Sequence, residues 1–144
     1  MSAGGHLVSL AATLGEGPFA KTGGWEDQPC DFRAAISVSG AYDLLKLDWA
    51  CGWITPGVPW DQARRQASPI EHVSANSKPM LIFHSDDDRS IPVAQAEGMT
   101  AALTESNVRH RFLRYRDRGH IQLTRDFVIE ESLDFIREVE RPWD

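Results

Sequence analysis

The run Lys-Pro-Met-Leu-Ile-Phe-His (78–84) constrains this chain more than any other stretch. It is continuously apolar, with neither helical spacing nor the alternation of a half-exposed strand. Such a run is the signature of a short strand buried on both faces. Strands of that kind lie in parallel sheets, which need a crossover segment between successive strands, usually a helix. The rest of the sequence has that form. Ala-Ala-Ile-Ser-Val-Ser-Gly (34–40) is a second apolar, β-branched run ended by glycine, and His-Arg-Phe-Leu-Arg-Tyr (110–115) is a third strand. A helix is expected over 3–14, where Leu7, Leu10 and Leu14 recur at helical spacing. Another starts at Pro92, whose missing N–H costs nothing there, with Ala96, Met99 and Leu103 facing inward. A last one runs over 125–139 through Ile129, Ile136 and Val139. Residues 15–31 are rich in Gly, Pro and charge and read as loop. Residues 44–66 carry Trp49, Trp53 and Trp60 among Pro56, Gly57 and Pro59, an irregular excursion with a helical turn at each end. The order helix, strand, excursion, strand, helix, strand, helix predicts an α/β fold, a parallel sheet flanked by helices on both faces.

Composition narrows the partners. The 144 residues, 42% of them hydrophobic, suffice for one domain with a core. The formal net charge of −6 argues against a nucleic-acid partner, which needs a clustered positive surface. The basic stretch Arg-His-Arg-Phe-Leu-Arg-Tyr-Arg-Asp-Arg (109–118) is interleaved with Phe112, Leu113 and Tyr115, so it reads as a strand with one charged face. No apolar run reaches membrane-spanning length, and no signal segment precedes the first motif. Neither nucleic acid nor membrane is therefore expected as a partner. Cys30 and Cys51 could form one bridge, but without a secretion signal free thiols in the cytoplasm are the default.

In a parallel sheet, ligands bind beyond the carboxyl ends of the strands. Three reactive groups fall there. Ser2 precedes the first helix, where a developing negative charge is favoured. Asp86, Asp87 and Asp88 directly follow the strand that ends at His84. His120 follows the third strand, behind Gly119, which tolerates unusual backbone angles. A serine nucleophile needs a base to take its proton, and the base needs an anion to orient it. Each residue also has an ordinary use: Ser2 as a helix cap, the triplet as a solvated turn, His120 as a surface loop residue. Asp86, Asp88, Ser90 and Glu97 sit at the offsets of a calcium loop, but Ile91 stands where that loop needs glycine and a strand precedes it. No metal and no cofactor are expected.

The order Ser, Asp, His is that of the α/β-hydrolases, and longer segments carry the likeness further. Ser-Ala-Gly-Gly-His-Leu (2–7) resembles the nucleophile elbow of serine esterases of the carboxylesterase, acetyl-esterase and arylformamidase-like branch. Ser-Gly-Ala-Tyr-Asp-Leu (39–44) and Ala-Ser-Pro-Ile-Glu-His-Val (67–73) are similar to later segments of the same fold. His-Ser-Asp-Asp-Asp-Arg-Ser-Ile-Pro (84–92) is similar to the pattern His-Gly-x-x-Asp-x-x-Val-Pro, with Ser85 in place of the glycine and Ile91 in place of the valine. Arg-Gly-His-Ile-Gln-Leu (118–123) carries the histidine. The resemblance implies Ser2 as nucleophile, Asp88 as the triad acid, His120 as the base and the backbone N–H of Ala3 as an oxyanion donor. It implies hydrolysis of small carboxylic esters through an acyl-enzyme. The arylformamidase likeness also implies amide or formamide hydrolysis by the same triad as a third option, and peptide hydrolysis ranks below it, since the chain carries no substrate-gating domain.

The likeness covers the C-terminal half of that fold, so residues 1–144 are expected to be a single partial domain truncated at the elbow, with 44–66 as a cap-like or pocket-lining insertion. The elbow pattern is Gly-x-Ser-x-Gly; here Ser2 and Gly4 stand, and only Met1 precedes the serine. The Gly-rich loop that supplies a second oxyanion donor has no counterpart, and one donor is worth roughly 3–4 kcal/mol. The alternative expectation is thus a catalytically impaired hydrolase fragment. The strand around Ile36 would also lack its neighbour, leaving an apolar edge that a homodimer or higher homo-oligomer would cover. Any signal segment would be lost with the missing half, which leaves the compartment open.

Overall fold

The computed structural model describes residues 1–15, 17–24, 26–29, 31–49, 57–120 and 125–141. Three strands, β1 (Ala35–Val38), β2 (Met80–Ser85) and β3 (His110–Tyr115), form a parallel sheet in the order β1-β2-β3. The helices are α1 (Ala3–Thr13), α2 (Trp60–Gln66), α3 (Ala94–Glu105) and α4 (Arg125–Val139). Short 3-10 turns span Leu44–Lys46 and Pro69–His72. The α/β architecture expected from the sequence is the one observed. No described helix is long and apolar enough to cross a membrane. Cys30, Cys51 and Trp53 lie outside the described residues.

All six residues of β2 are buried, because it is the central strand and both its faces are covered. Met80 and Ile82 pack with Ala12 of α1 and with Ala96, Met99 and Leu103 of α3. Leu81 and Phe83 join Val38 on the other face, under Phe135 of α4 and the partly buried Phe127 and Val128. The inward positions expected on α3 are therefore correct. On α4, Ile129 is 54% exposed, and the fully buried anchor is Phe135. Ile136 and Val139 are half-buried beside it.

Helix α1 departs most from its apolar pattern. Leu7 is 61% exposed and Val8 is exposed too, while the buried side is Gly5, His6, Ser9, Ala12 and Thr13. The reason is distance. A methyl group at Gly5 would stand 2.9 Å from the Val38 carbonyl oxygen and 3.1 Å from the Gly40 Cα. Only small residues allow the helix to lie that close to β1. The hydroxyls on this face are satisfied within the helix, Ser9 Oγ donating to the Gly5 carbonyl at 2.7 Å and Thr13 Oγ1 to the Ser9 carbonyl at 3.1 Å. Ser37 Oγ of β1 also donates to the Gly5 carbonyl, at 3.1 Å. In the excursion, Trp49 and Trp60 are 57% and 47% exposed, so neither fills the core.

Gly5→Ala should therefore destabilise the chain by about 1–3 kcal/mol through overpacking against β1. Gly4→Ala, where no described atom lies within 4 Å, should be neutral or slightly stabilising through helix propensity. Urea-unfolding midpoints of the two variants beside wild type check the contrast.

Candidate active site

Ser2 sits at the turn into α1 with φ 51° and ψ −121°, on the side of backbone space that L-residues avoid. Holding it there costs of order 1–3 kcal/mol. Two backbone bonds enforce it: Ser2 N–H donates to the Val38 carbonyl at 2.8 Å, and the Ser2 carbonyl accepts from His6 N–H at 3.0 Å. The Ser2 side chain makes no capping hydrogen bond, so the ordinary use as a helix cap is not what its hydroxyl does. Ala3 is the first residue of α1, and its N–H has no acceptor within the helix. Ser2 and Ala3 line a cavity of about 390 Å³ whose other walls include Leu7, Leu44, Trp49 and Ile91. The outward turn of Leu7 is thus what gives the cavity one apolar wall.

The chain enters this region from the β1 side under the control of Gln95, which no sequence signal marked. Its Oε1 accepts from the backbone N–H groups of Tyr42 (2.9 Å) and Asp43 (2.7 Å), and its Nε2 donates to the Asp43 carbonyl at 2.9 Å. Gln95 is buried, so three polar groups of a buried turn are satisfied by one amide.

The three aspartates after β2 have three different partners. Asp86 pairs with Arg114 of β3. Asp87 binds backbone N–H groups of the loop after β3, Gly119 among them at 2.9 Å. Asp88, 6% exposed, uses its two oxygens separately. Oδ1 accepts from the backbone N–H groups of Ser90 and Ile91, each at 2.9 Å. Oδ2 accepts from His120 Nδ1 at 2.8 Å and lies 3.4 Å from His84 Nε2. Gly119 reaches φ 55° just before the histidine, the unusual angle its glycine was expected to allow.

His84 is the residue the sequence reading passed over. It is fully buried, and its Nε2–H donates to the Ile91 carbonyl at 2.8 Å. That fixes the tautomer and leaves Nδ1 as an acceptor with no partner among the described residues. Burial pushes its pKa below the ordinary 6.5, and a second proton would have no acceptor to bind. Asp88 therefore faces the fully buried His84 imidazole on one side and the partly exposed His120 ring on the other. His6 is also buried and bonded through Nε2 to the Ala67 carbonyl at 2.7 Å, and burial lowers its pKa.

The structure thus brings Asp88 and His120 together. Among the described residues, no hydrogen bond joins the Ser2 hydroxyl to His120. Ile91 links the two halves, since it lines the cavity with Ser2 and its N–H binds Asp88. No group of three or more His, Cys, Asp or Glu among the described residues is arranged to hold a metal ion.

Residues 1–139 match the prolyl oligopeptidase family, Peptidase_S9. The chain belongs to that family. Among curated relatives of this prolyl oligopeptidase family member, the protein named "Probable carboxylic ester hydrolase LipM" of Mycobacterium tuberculosis is 32% identical over 115 residues, covering 72% of this chain and 26% of its own length. Dipeptidyl-peptidase 5 of Aspergillus fumigatus is 35% identical over 98 residues, covering 62% of this chain and 14% of its own length. Among solved structures, a thermophilic esterase of Thermogutta terrifontis superposes with a TM-score of 0.75 at 19% identity, covering 96% of this chain and 54% of that one. The chain spans about a quarter of the length of the esterase relatives. The α/β-hydrolase resemblance carried by the sequence motifs is the fold it shares with these proteins.

Lowered pKa values at His84 and His6 mean that the unfolded chain binds more protons than the folded one below the ordinary 6.5. Stability should therefore be full above that pH and fall as the pH drops through the folded-state values. The urea midpoint should decline from about pH 7 to about pH 5, and the decline should be shallower in His84→Gln, which keeps a donor for the Ile91 carbonyl and removes the titration.

Proposed function

We propose that this chain is a serine hydrolase acting on small carboxylic esters. The observation that carries the reading is the 2.8 Å hydrogen bond from His120 Nδ1 to Asp88 Oδ2. It commits one ring nitrogen to the carboxylate and leaves Nε2 to take a proton. In the proposed reaction, Ser2 Oγ attacks the ester carbonyl while His120 takes the hydroxyl proton. Asp88 stabilises the imidazolium that forms. The Ala3 N–H, at the positive end of α1, faces the developing oxyanion. Collapse expels the alcohol, which receives its proton from His120, and water then releases the acid from Ser2 by the same steps in reverse. No cofactor takes part in this scheme.

The apolar walls of Leu7, Leu44, Trp49 and Ile91 suit a short acyl group. The structurally similar Thermogutta terrifontis esterase was solved with butyrate and with propionate bound, which supports that choice. Dipeptidyl-peptidase relatives and the family itself favour a second reading, peptide hydrolysis by the same residues. We rank it lower because the described residues offer one oxyanion donor, the Ala3 N–H, and the less reactive amide needs more stabilisation than an ester.

The assembly is part of the proposal. Among the described residues β1 pairs on one side only, with β2. An apolar groove lined by Val8, Phe32, Ala34 and Ile36 lies against it. An open edge of that kind is a template for pairing, and a second copy would cover it. Sedimentation showing a monodisperse monomer at micromolar concentration would overturn this part.

Hydrolysis of p-nitrophenyl acetate and butyrate by the 144-residue chain tests the chemistry. Ser2→Ala should fall to the buffer rate, and His120→Ala and Asp88→Asn should each lose about two orders of magnitude or more. Wild type at the buffer rate would sink the esterase reading in favour of a catalytically impaired chain. Faster cleavage of a dipeptide p-nitroanilide than of the esters would favour the peptidase.

A further inference from the structure

The last rung of the sheet between β2 and β3 is the Asp86 N–H donating to the Tyr115 carbonyl at 2.9 Å. Beyond it, residues 116–119 must carry the chain to His120 with no ladder to hold them. The path takes two left-handed turns, at Asp117 (φ 56°) and Gly119 (φ 55°), and only the second is free of steric cost. A loop like this would let the His120 ring wander off Asp88 unless something else fixed its backbone.

Two side chains from the β2 end do so. Asp87 Oδ1 accepts from Gly119 N–H at 2.9 Å and from Arg118 N–H at 3.1 Å. Ser85 Oγ also lies 3.1 Å from Arg118 N–H, sharing that donor. The Ser85 hydroxyl proton goes to Asp87 Oδ1 at 2.6 Å, the shorter of its two contacts, the other being the Tyr115 carbonyl at 3.3 Å. Three donors thus converge on one carboxylate oxygen. Those from Ser85 and Gly119 hold the Asp87 carboxyl below the usual carboxylate range, so it is charged at neutral pH. The far side of the loop is anchored independently, by the Arg118 guanidinium 5.5 Å over the Phe127 ring of α4. Ser85 stands where the resembled pattern has glycine, and glycine could supply none of the hydroxyl contacts.

We infer that Ser85 and Asp87 form a clasp that fixes the backbone of Arg118 and Gly119 and thereby keeps the His120 ring on Asp88. The two are positioning residues, and their catalytic consequence rests on the serine-hydrolase reading above. Neither lines the cavity beside Ser2. Loss of the clasp therefore lowers kcat and leaves KM where it was.

The test uses the full 144-residue chain, nitrogen-15 labelled, with Asp87→Ala, Asp87→Asn and Ser85→Gly. Thermal melts identify the variants that stay folded. In Asp87→Ala, amide exchange at Arg118 and Gly119 should accelerate about tenfold or more. Ser90 and Ile91, whose N–H groups bind Asp88 instead, should exchange as in wild type. The His120 Nδ1 proton resonance should broaden or vanish, and kcat on p-nitrophenyl acetate should drop about tenfold at unchanged KM. Asp87→Asn, which keeps an acceptor oxygen, should fall between. If Asp87→Ala does not fold, Ser85→Gly carries the same readings at smaller amplitude. Unchanged exchange at Arg118 and Gly119, or an unchanged His120 Nδ1 signal, would overturn the clasp. So would a rise in KM at constant kcat. Should wild type hydrolyse nothing, the esterase reading falls, while exchange and the ring proton still decide the clasp.

Discussion

The in-register parallel pairing of β2 with β3 governs what happens at the carboxyl end of this sheet. Ser85 stands opposite Tyr115, so both strands stop at the same height and their loops leave side by side. Neighbouring strands are only about 4.8 Å apart, and residues 32 positions apart, Asp88 and His120, fall within hydrogen-bonding reach. A slip of one residue would move every side chain of a strand to the opposite face. Met80 and Ile82 would lose α3, and Leu81 and Phe83 would lose Phe135. Burial therefore fixes the register, and the register fixes the approach of Asp88 to His120.

The charged residues of β3 fit the same frame. Arg111 reaches Glu131 and Glu138 of α4, and Arg114 reaches Asp86 and Glu97. These pairs are partly exposed, so solvent screening leaves each of them weak. Their effect is to let a strand carrying His110, Arg111 and Arg114 lie beside two acidic helices. The basic sequence here is matched by acidic side chains of α3, α4 and the turn after β2.

At the other end of the site the controlling contact is the approach of α1 to β1. Gly5 lies against the Val38 carbonyl, and the same carbonyl holds the Ser2 N–H at 2.8 Å. One backbone oxygen thereby meets both the helix and the strained serine. The glycine expected to matter from the elbow pattern was Gly4, yet the close contact belongs to its neighbour. A spacing rule names candidates, and only the path of the helix across the strand decides which one is pressed against backbone. Leu7 makes the same point in reverse. Its spacing marks it as apolar and helical, but with small residues required on the strand side it turns outward to wall the cavity.

The parallel α/β order, the three strands, the ends of α4 and the candidates Ser2, Asp88 and His120 were legible in the chain itself. The signals for the elements are local, an unbroken apolar run and a change of period, whereas the three candidates were singled out by the resemblance of residues 2–7, 84–92 and 118–123 to a known pattern. His84, Gln95, Ser85 and Asp87 were not, because each acts on groups that are distant in sequence or hidden by ordinary chemistry. Gln95 serves a turn 52 residues away, and Asp87 serves a loop 32 residues away. Phe135 was missed for a related reason, since helical spacing picks a stripe but the tilt against Phe83 picks the residue at its centre. Local pattern thus determined which elements form, and the resemblance which residues are candidates. Long-range packing decided which face of each helix is buried and which groups hold Asp87, Asp88 and the loop before His120, because those depend on distances between segments that no local spacing encodes.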